Sequence, residues 1–239
     1  TITILNSSLE MEIKMAEVRV IKLNESVYSK NDNQADMTRR MLNDKKVFFV
    51  NIMSSPGSGK TTMLSRLINM LKDDYRIGEM DVDIESDIDA RRVAESTGVK
   101  TMQIHNGGLC HIDAKMTADA ISEYGVDDLD ILFLENIGNL VCPAEFDTGA
   151  HRKVMILSVP EGDDKPLKYP LMFSVCNVVL VNKIDTLKAF DFDMQKFTNH
   201  VKELNPNAII MPISAKTGEG MEQFVTWLAD ERKKLTEKI

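Results

Sequence analysis

The feature that most constrains the fold is a glycine-rich segment enclosed between an apolar run and an amphipathic run. The run VFFVNIM at residues 47–53 has the length and the β-branched and aromatic content of a buried strand, and it leads directly into SSPGSGKTT at residues 54–62. Apolar residues then recur at helical spacing over residues 63–71. A strand, a glycine-rich turn and a helix in this order predict a P-loop, in which backbone N–H groups and the positive helix end face a phosphate.

The loop matches the pattern G-x-x-x-x-G-K-[ST] except at its first position, where Ser54 replaces glycine. We expect Lys60 to reach the β- and γ-phosphate oxygens and the Thr61 hydroxyl to contact Mg²⁺. The nucleotide contacts predicted from the loop are Gly57, Ser58, Gly59, Lys60, Thr61 and Thr62.

Short apolar runs alternate with amphipathic stretches along the rest of the chain. Strands are predicted at 76–83, 99–104, 129–135, 153–159, 177–183 and 208–213, and helices at 61–73, 90–97, 112–124, 192–204 and 220–235. Strands that are apolar at nearly every position and separated by helices predict an α/β fold, with a mostly parallel sheet covered by helices on both faces.

Two parts of the chain are predicted to differ in role. Residues 47–239 form the P-loop domain, and residues 1–46 form a polar N-terminal extension with a short helix at 34–43. Residues 1–10, which precede Met11, are interpreted as a candidate cloning remnant and are left out of the fold prediction.

Charge and composition disfavour several classes of protein. The net charge of −8 repels phosphate, which argues against non-specific binding to nucleic acid or to an anionic membrane. No apolar run reaches the roughly eighteen residues of a membrane-spanning helix, and the N-terminal stretch lacks the pattern of a secretory signal. Three cysteines, an odd number, indicate reduced thiols. The sequence therefore predicts a cytoplasmic protein with neither a nucleic-acid nor a membrane partner.

Two further motifs indicate which nucleotide the P-loop holds. The predicted strand 177–183 runs into Asn182-Lys183-Ile184-Asp185, and the last predicted strand runs into Ser214-Ala215-Lys216. These match the NKxD and SAK motifs of GTPases, in which the aspartate accepts two hydrogen bonds from guanine. Adenine offers no matching donors, so the buried carboxylate would remain unpaired. The base contacts predicted are Asn182, Lys183, Asp185, Ser214, Ala215 and Lys216, and the chain is predicted to be a GTPase.

Hydrolysis requires a bound Mg²⁺ and groups that respond to the γ-phosphate. The strand 129–135 ends at Glu135, and Gly138 follows three residues later, like the DxxG motif of GTPases with glutamate in place of aspartate. Asp83 ends another strand, with Asp89 as a second candidate, and the other acids of 81–89 are predicted to form a solvated face. The predicted catalytic residues are Lys60, Asp83, Glu135 and Gly138, and the predicted Mg²⁺ ligands are Thr61, Asp83 and Glu135. No motif positions a catalytic arginine, so slow intrinsic turnover is expected.

The segment GGLCHI at 107–112 places a thiol beside an imidazole. It could be a loop thiol beside a solvated histidine, or half of a metal site. Cys142 lies four residues after Gly138, and Cys110, His111 and Cys142 together suit Ni²⁺ or Zn²⁺ rather than Mg²⁺. Three such ligands fall short of four, which a symmetric dimer would resolve by pairing two half-sites. Cys176 is predicted to be a core thiol, and His105, His151 and His200 are predicted to be surface or structural residues.

From about residue 47 to 235 the chain resembles the HypB family, the GTPases that help insert nickel into [NiFe]-hydrogenase. The resemblance rests on SSPGSGKTT, GLCHIDA, LFLENIGNLVCPAEFD, SVPEGDDKPLKYP and NKID, in the order of that family. It implies the dimerising P-loop fold shared with the signal-recognition GTPases and the urease nickel chaperone. It also implies a homodimer with Cys110, His111 and Cys142 at the interface, a nickel-delivery accessory protein and the hydrogenase large-subunit precursor as partners.

One departure from the family and two competing functions remain open at this point. Residues 1–46 contain no cysteine and no histidine, so the N-terminal high-affinity nickel storage of many members is not expected. A urease-type nickel GTPase would carry Cys-Pro-His, whereas Cys110 and His111 are adjacent. A signalling or translation GTPase would bind only Mg²⁺, and metal stoichiometry in a GTP-loaded sample would distinguish it. Whether the metal is nickel or zinc, which accessory protein exchanges it and whether dimerisation needs GTP stay open.

Overall fold

Seven parallel strands form one sheet at the centre of the molecule. A computed structural model describes residues 23–83 and 86–237, so residues 1–10 and the rest of the chain before residue 23 lie outside the described residues. The strands are β1 (Phe48–Ser54), β2 (Ile77–Asp83), β3 (Lys100–His105), β4 (Ile131–Gly138), β5 (Arg152–Ser158), β6 (Val178–Asn182) and β7 (Ile209–Pro212). Their order across the sheet is β3-β2-β4-β1-β5-β6-β7, with every neighbouring pair parallel. The predicted α/β fold is confirmed.

Helices cover both faces of this sheet. They are α1 (Leu23–Asp44), α2 (Lys60–Leu71), α3 (Ile88–Thr97), α4 (Ala114–Tyr124), α5 (Cys142–Glu145), α6 (Lys165–Lys168), α7 (Pro170–Val175), α8 (Met194–Leu204) and α9 (Met221–Glu237). Two 3-10 helices span Val159–Glu161 and Ile184–Ala189. The five helices predicted after the P-loop correspond to α2, α3, α4, α8 and α9, whereas the short α5, α6 and α7 were not predicted. Within the described residues, no helix has the length and apolarity needed to cross a membrane.

Alternating side chains of β1 divide the core into two layers. Phe48, Val50 and Ile52 pack with residues of α2, α3 and α9, whereas Phe49 packs on the opposite face with α1 and α4. Met53 joins a third cluster with residues of α7 and α8 on that second face. This alternation is what period-two side chains produce when both faces of a strand are covered.

Helix α1 is longer than the sequence predicts. The predicted segment 34–43 lies inside α1, which begins eleven residues earlier at Leu23. Its buried stripe consists of Asn31, Ala35, Thr38 and Leu42, at spacings of four, three and four. Two of these four residues are polar, so a search for apolar periodicity misses the first half of the helix.

The strand order positions the site. β1 lies between β4 and β5 in the sheet. The next three strands along the chain, β2 to β4, lie on one side of β1, and β5 to β7 lie on the other. In open parallel sheets, ligands bind beyond the carboxyl ends of the strands where the order reverses in this way. The predicted site residues lie at this edge, in the carboxyl-terminal parts of β2, β4 and β6 or in the segments that follow β1, β3, β4, β6 and β7.

Candidate nucleotide and metal site

The glycine-rich loop encloses a cleft at the carboxyl end of β1. Gly57 and Gly59 have φ values of 75° and 97°, in the left-handed region that a residue with a side chain rarely adopts. The ammonium group of Lys60, the first residue of α2, donates to Ser54 Oγ at 3.0 Å, so the serine that replaces the first glycine contacts the lysine. The cleft has a volume of about 590 Å³, and its lining includes Gly57, Gly59, Lys60, Thr61, Thr62 and Lys183.

A second cavity of about 350 Å³ adjoins this cleft, and its lining includes Asn182, Lys183 and Asp185 of the NKxD motif and Ala215 and Lys216 of the SAK motif. Gly59, Thr62 and Lys183 line both cavities. Asn182 ties the two loops together, because its Nδ2 donates to the Ser58 carbonyl at 2.9 Å and its Oδ1 accepts from the Ala215 N–H at 2.9 Å. A Cβ atom at Gly59 would lie 2.6 Å from Asn182 Nδ2, so this packing requires glycine. Ser58 itself is buried beneath the loop.

The other residues predicted to contact the base are held by direct contacts within the protein. Lys183 Nζ donates to the Gly57 carbonyl at 2.7 Å, and the Lys183 backbone has a left-handed φ of 63°. Ser214 Oγ donates to Asp185 Oδ1 at 2.7 Å, which orients the carboxylate. Lys216 lines the same cavity. These contacts preorganise the pocket that the NKxD and SAK motifs predict.

Glu135 is buried beside the P-loop. The Thr61 hydroxyl donates to Glu135 Oε1 at 2.9 Å, whereas Glu135 Oε2 is buried and accepts no hydrogen bond from the described residues. Burial raises the pKa of Glu135 to about 7, against the opposing effects of Lys60 and Thr61. An unsatisfied carboxylate oxygen beside a P-loop hydroxyl fits the hard oxygen ligands that Mg²⁺ requires. Asp83 lines the cleft, and its Oδ1 accepts from the Ser86 N–H at 2.9 Å.

Two further buried carboxylates lie close to Glu135. One carboxylate oxygen from each of Glu79, Asp81 and Glu135 lies within 4.8 Å of the others. Burial, then the charge of Glu135, raises the pKa of Asp81 to about 8, and the same causes raise the pKa of Glu79 well above its usual value. The prediction of a solvated face is therefore wrong for Asp81, which is 3% exposed because β2 lies between β3 and β4 and is covered by helices.

An arginine that no motif predicts also lines the phosphate cleft. Arg92 on α3 reaches the cleft together with Asp89, and the two form an ion pair with an N–O distance of 3.2 Å. Asp89, the second acidic candidate, therefore faces the cleft alongside Asp83. The sequence gives only a weak indication of this ion pair, namely that Asp89 and Arg92 are three residues apart on a helix.

The structure brings Cys110 and Cys142 together and places His111 beside Cys110, although the three ligand atoms do not all lie within 4.8 Å of one another. Gly138 packs against the P-loop, since a Cβ atom there would lie 3.1 Å from the Pro56 ring. Cys142 begins α5 four residues later, and its Sγ lies 2.7 Å from Cys110 Sγ. Cys110 Sγ is 3.8 Å from His111 Nδ1. The hydrogen bond to Cys142 raises the pKa of the Cys110 thiol. Two thiols from two loops thus meet beside the segment that follows Gly138, and the imidazole adjoins the first of them.

The other cysteine and histidines take the predicted structural or surface positions. Cys176 is buried, its thiol donates to the Met172 carbonyl at 2.8 Å, and burial raises its pKa to about 12. His151 accepts from the Phe49 N–H at 2.9 Å and is structural. His105 is exposed at the end of β3, and His200 is half-buried on α8.

The chain is similar in sequence and in structure to proteins of one family. The family model CobW/HypB/UreG, nucleotide-binding domain, matches residues 48–212. The hydrogenase maturation factor HypB of Escherichia coli K12 is 43% identical over 218 residues, which cover 91% of this chain and 75% of that protein. The crystal structure of HypB from Helicobacter pylori in complex with nickel superposes with a TM-score of 0.80 at 36% identity, covering 86% of this chain and 96% of that chain. HypB from Archaeoglobus fulgidus gives 0.79 at 35% identity, covering 85% and 99%.

Proposed function

The chain belongs to the HypB family of hydrogenase maturation factors, and from this premise we propose that it is a GTPase that delivers nickel during maturation of a [NiFe]-hydrogenase. The observation that carries the proposal is the 2.7 Å approach of Cys110 and Cys142, which come from different loops and meet next to His111. Cys142 lies on the segment that begins at Gly138, which itself packs on the P-loop. Nickel is the cargo of this site, and the nucleotide is the substrate of the adjoining cleft.

The nucleotide chemistry is assigned to residues that surround the cleft. Lys60 neutralises the β- and γ-phosphate oxygens, and the Gly138 N–H contacts the γ-phosphate. Thr61, Asp83 and Glu135 would hold Mg²⁺, which when bound neutralises the charge that develops on the phosphates. Asp185 accepts from guanine N1 and N2, while the Lys183 stem packs on the base. Ser214 supports the Asp185 carboxylate through its 2.7 Å hydrogen bond.

The metal site is proposed to be completed by a second copy of the chain. Cys110, His111 and Cys142 supply three ligands, and nickel and zinc both accept this donor set. Leu109 and Val141, each next to a ligand cysteine, are 48% and 49% exposed and would be covered in a homodimer. We further propose that dimerisation depends on GTP, and that the dimer exchanges nickel with an accessory protein and the hydrogenase large-subunit precursor in the cytoplasm.

The decisive experiment measures nucleotide and nickel binding on the same sample. The wild type should bind GTP in preference to ATP, hydrolyse it slowly and bind nickel through thiolate ligands that absorb in the near ultraviolet. Lys60→Ala should lose tight GTP binding, because the phosphates lose their cation, and should retain nickel binding in the absence of nucleotide. A wild type that hydrolyses GTP but binds only Mg²⁺ would instead fit a signalling GTPase.

A further inference from the structure

Helix α1, outside the nucleotide-binding domain, contacts both segments that carry the predicted nickel ligands. One segment runs from Cys110 to the start of α4, and the other runs from Cys142 to Asp147. The contacts come from one side of α1, at Tyr28, Asn31 and Arg39. The role of α1 therefore bears on the proposed metal site.

Asn31 bridges the two segments with a single side chain. Its Oδ1 accepts from the Ala114 N–H at 2.8 Å, and its Nδ2 donates to the Asp147 carbonyl at 3.0 Å. Ala114 is the first residue of α4, three residues after His111, and its N–H has no partner within the helix. Asp147 lies five residues after Cys142. Asn31 is 9% exposed, so water does not readily replace either hydrogen bond.

An aromatic stack orients the ligand imidazole from the same side. The His111 ring lies on the Phe146 ring with centroids 3.9 Å apart and planes 7° apart. The Phe146 ring contacts Tyr28 of α1 at a centroid distance of 5.6 Å. Tyr28 and Asn31 are three residues apart and therefore share a face of the helix. A guanidinium nitrogen of Arg39 adds a 2.8 Å ion pair to the Asp147 carboxylate.

We propose that α1 is a positioning element of the nickel site, and that Asn31 holds the His111 segment and the Cys142 segment at the separation that lets their side chains share one ion. The inference rests on the proposed function, because it assumes that Cys110, His111 and Cys142 bind nickel. Asn31 touches neither the metal nor the nucleotide. Without it the two segments separate, so only a fraction of molecules present the complete ligand set, and the apparent affinity falls by that fraction.

The test compares nickel and GTP affinities in a set of variants of the whole chain. Asn31→Ala should weaken nickel binding about tenfold, because about one molecule in ten would then present the complete ligand set, while the GTP affinity stays unchanged. Asn31→Asp keeps the acceptor for Ala114 and the side-chain volume but loses the donor to Asp147. It should fold like the wild type, and its nickel affinity should lie between those of the wild type and Asn31→Ala. The matched control is Leu42→Val, a core truncation in the same helix away from the ligand segments, which should lower the melting temperature and leave nickel affinity intact.

The outcomes separate this inference from the proposed function. If Cys142→Ala loses nickel while both Asn31 variants bind it like the wild type, α1 does not position the site. If Leu42→Val weakens nickel as much as Asn31→Ala does, helix stability rather than the bridge is responsible, which also overturns the inference. If Cys142→Ala binds nickel like the wild type, the proposed metal site is wrong, and the inference is wrong with it.

Discussion

Asp185, the residue proposed to select the base, has a carboxylate that Ser214 orients with a 2.7 Å hydrogen bond. In Asp185→Asn one of the two acceptors becomes a donor, which clashes with a guanine N–H and matches the additional carbonyl of xanthine. We expect GTP to bind roughly 10- to 100-fold more weakly, the range for losing a hydrogen bond to a charged group, and xanthosine triphosphate to bind more tightly than in the wild type. Calorimetry with both nucleotides measures this, and Asp191→Asn, at an exposed aspartate nearby, is the control. If Asp185→Asn still binds GTP as tightly as the wild type does, Asp185 does not contact the base.

Arg92 is the residue in the phosphate cleft that most extends the predicted site. Its side chain lines the same cleft as Lys60 and Gly138, the residues proposed to contact the γ-phosphate, so we expect it to stabilise the transition state of hydrolysis. Arg92→Ala should lower kcat by about 100-fold, the scale for one electrostatic donor, with a smaller change in GTP affinity. The adjacent Arg91 offers a matched control, since it pairs with Asp87 at 2.6 Å and is largely exposed. Single-turnover rates that fall equally in Arg91→Ala and Arg92→Ala would assign the loss to α3 as a whole.

At the scale of elements, His151 joins the end of α1 to β1. Its Nδ1 accepts from the Phe49 N–H at 2.9 Å, and its Nε2 lies 3.1 Å from Asn43 Oδ1, so the ring is a neutral imidazole with its proton on Nε2. Burial, followed by the charges of Arg39 and Arg152, lowers its pKa from 6.5 to about 4. The unfolded chain binds this proton first as the pH falls. The stability contribution is therefore complete above pH 6.5 and is lost between pH 6.5 and about 4.

This linkage predicts a pH-dependent stability difference of up to about 3 kcal/mol between wild type and His151→Gln. Urea unfolding at several pH values should show the wild type losing more stability than the variant as the pH falls from 6.5 to 5. His105→Gln, at an exposed histidine, should follow the wild type. The comparison removes the effect of Glu79, Asp81 and Glu135, whose raised pKa values change stability in the opposite direction and equally in all three proteins. Parallel curves for wild type and His151→Gln would contradict the assignment.

Strands and helices that are marked by a pattern of neighbouring residues could be predicted from the sequence. Each strand lies within three residues of its predicted bounds, because buried parallel strands are continuous apolar runs. The first half of α1 was missed because its buried position at Asn31 is polar and adds nothing to the apolar periodicity. Arg92 and Asp81 were missed because their position depends on sheet register and helix packing, which no motif encodes. The positions of Ser58, Asp185 and Cys142 could be predicted, because each belongs to a motif in a segment that directly follows a strand.

At the scale of the whole molecule, the P-loop cleft and the proposed metal site meet at Gly138. This glycine packs against Pro56 of the P-loop, and the chain reaches Cys142 four residues later. A rearrangement of this segment on γ-phosphate binding would change the distance between Cys142 and Cys110. Nickel affinity and nucleotide state must then be coupled, and the coupling must act equally in both directions.

We therefore expect nickel affinity to differ by roughly 5- to 150-fold between the GDP form and a form with a non-hydrolysable GTP analogue, the typical size of such coupling. In Gly138→Ala the added methyl would lie 3.1 Å from Pro56 and displace the segment from the P-loop. This variant should still bind nickel, because its ligands are intact, but with one affinity in both nucleotide states. Cys142→Ala should lose nickel in both states and retain GTP. Nickel titrations of the three proteins, with solution mass measured alongside to detect dimers, test this. If the wild type shows equal nickel affinity in both states, the thiol after Gly138 does not respond to the nucleotide, and nickel release must be driven by a partner protein instead.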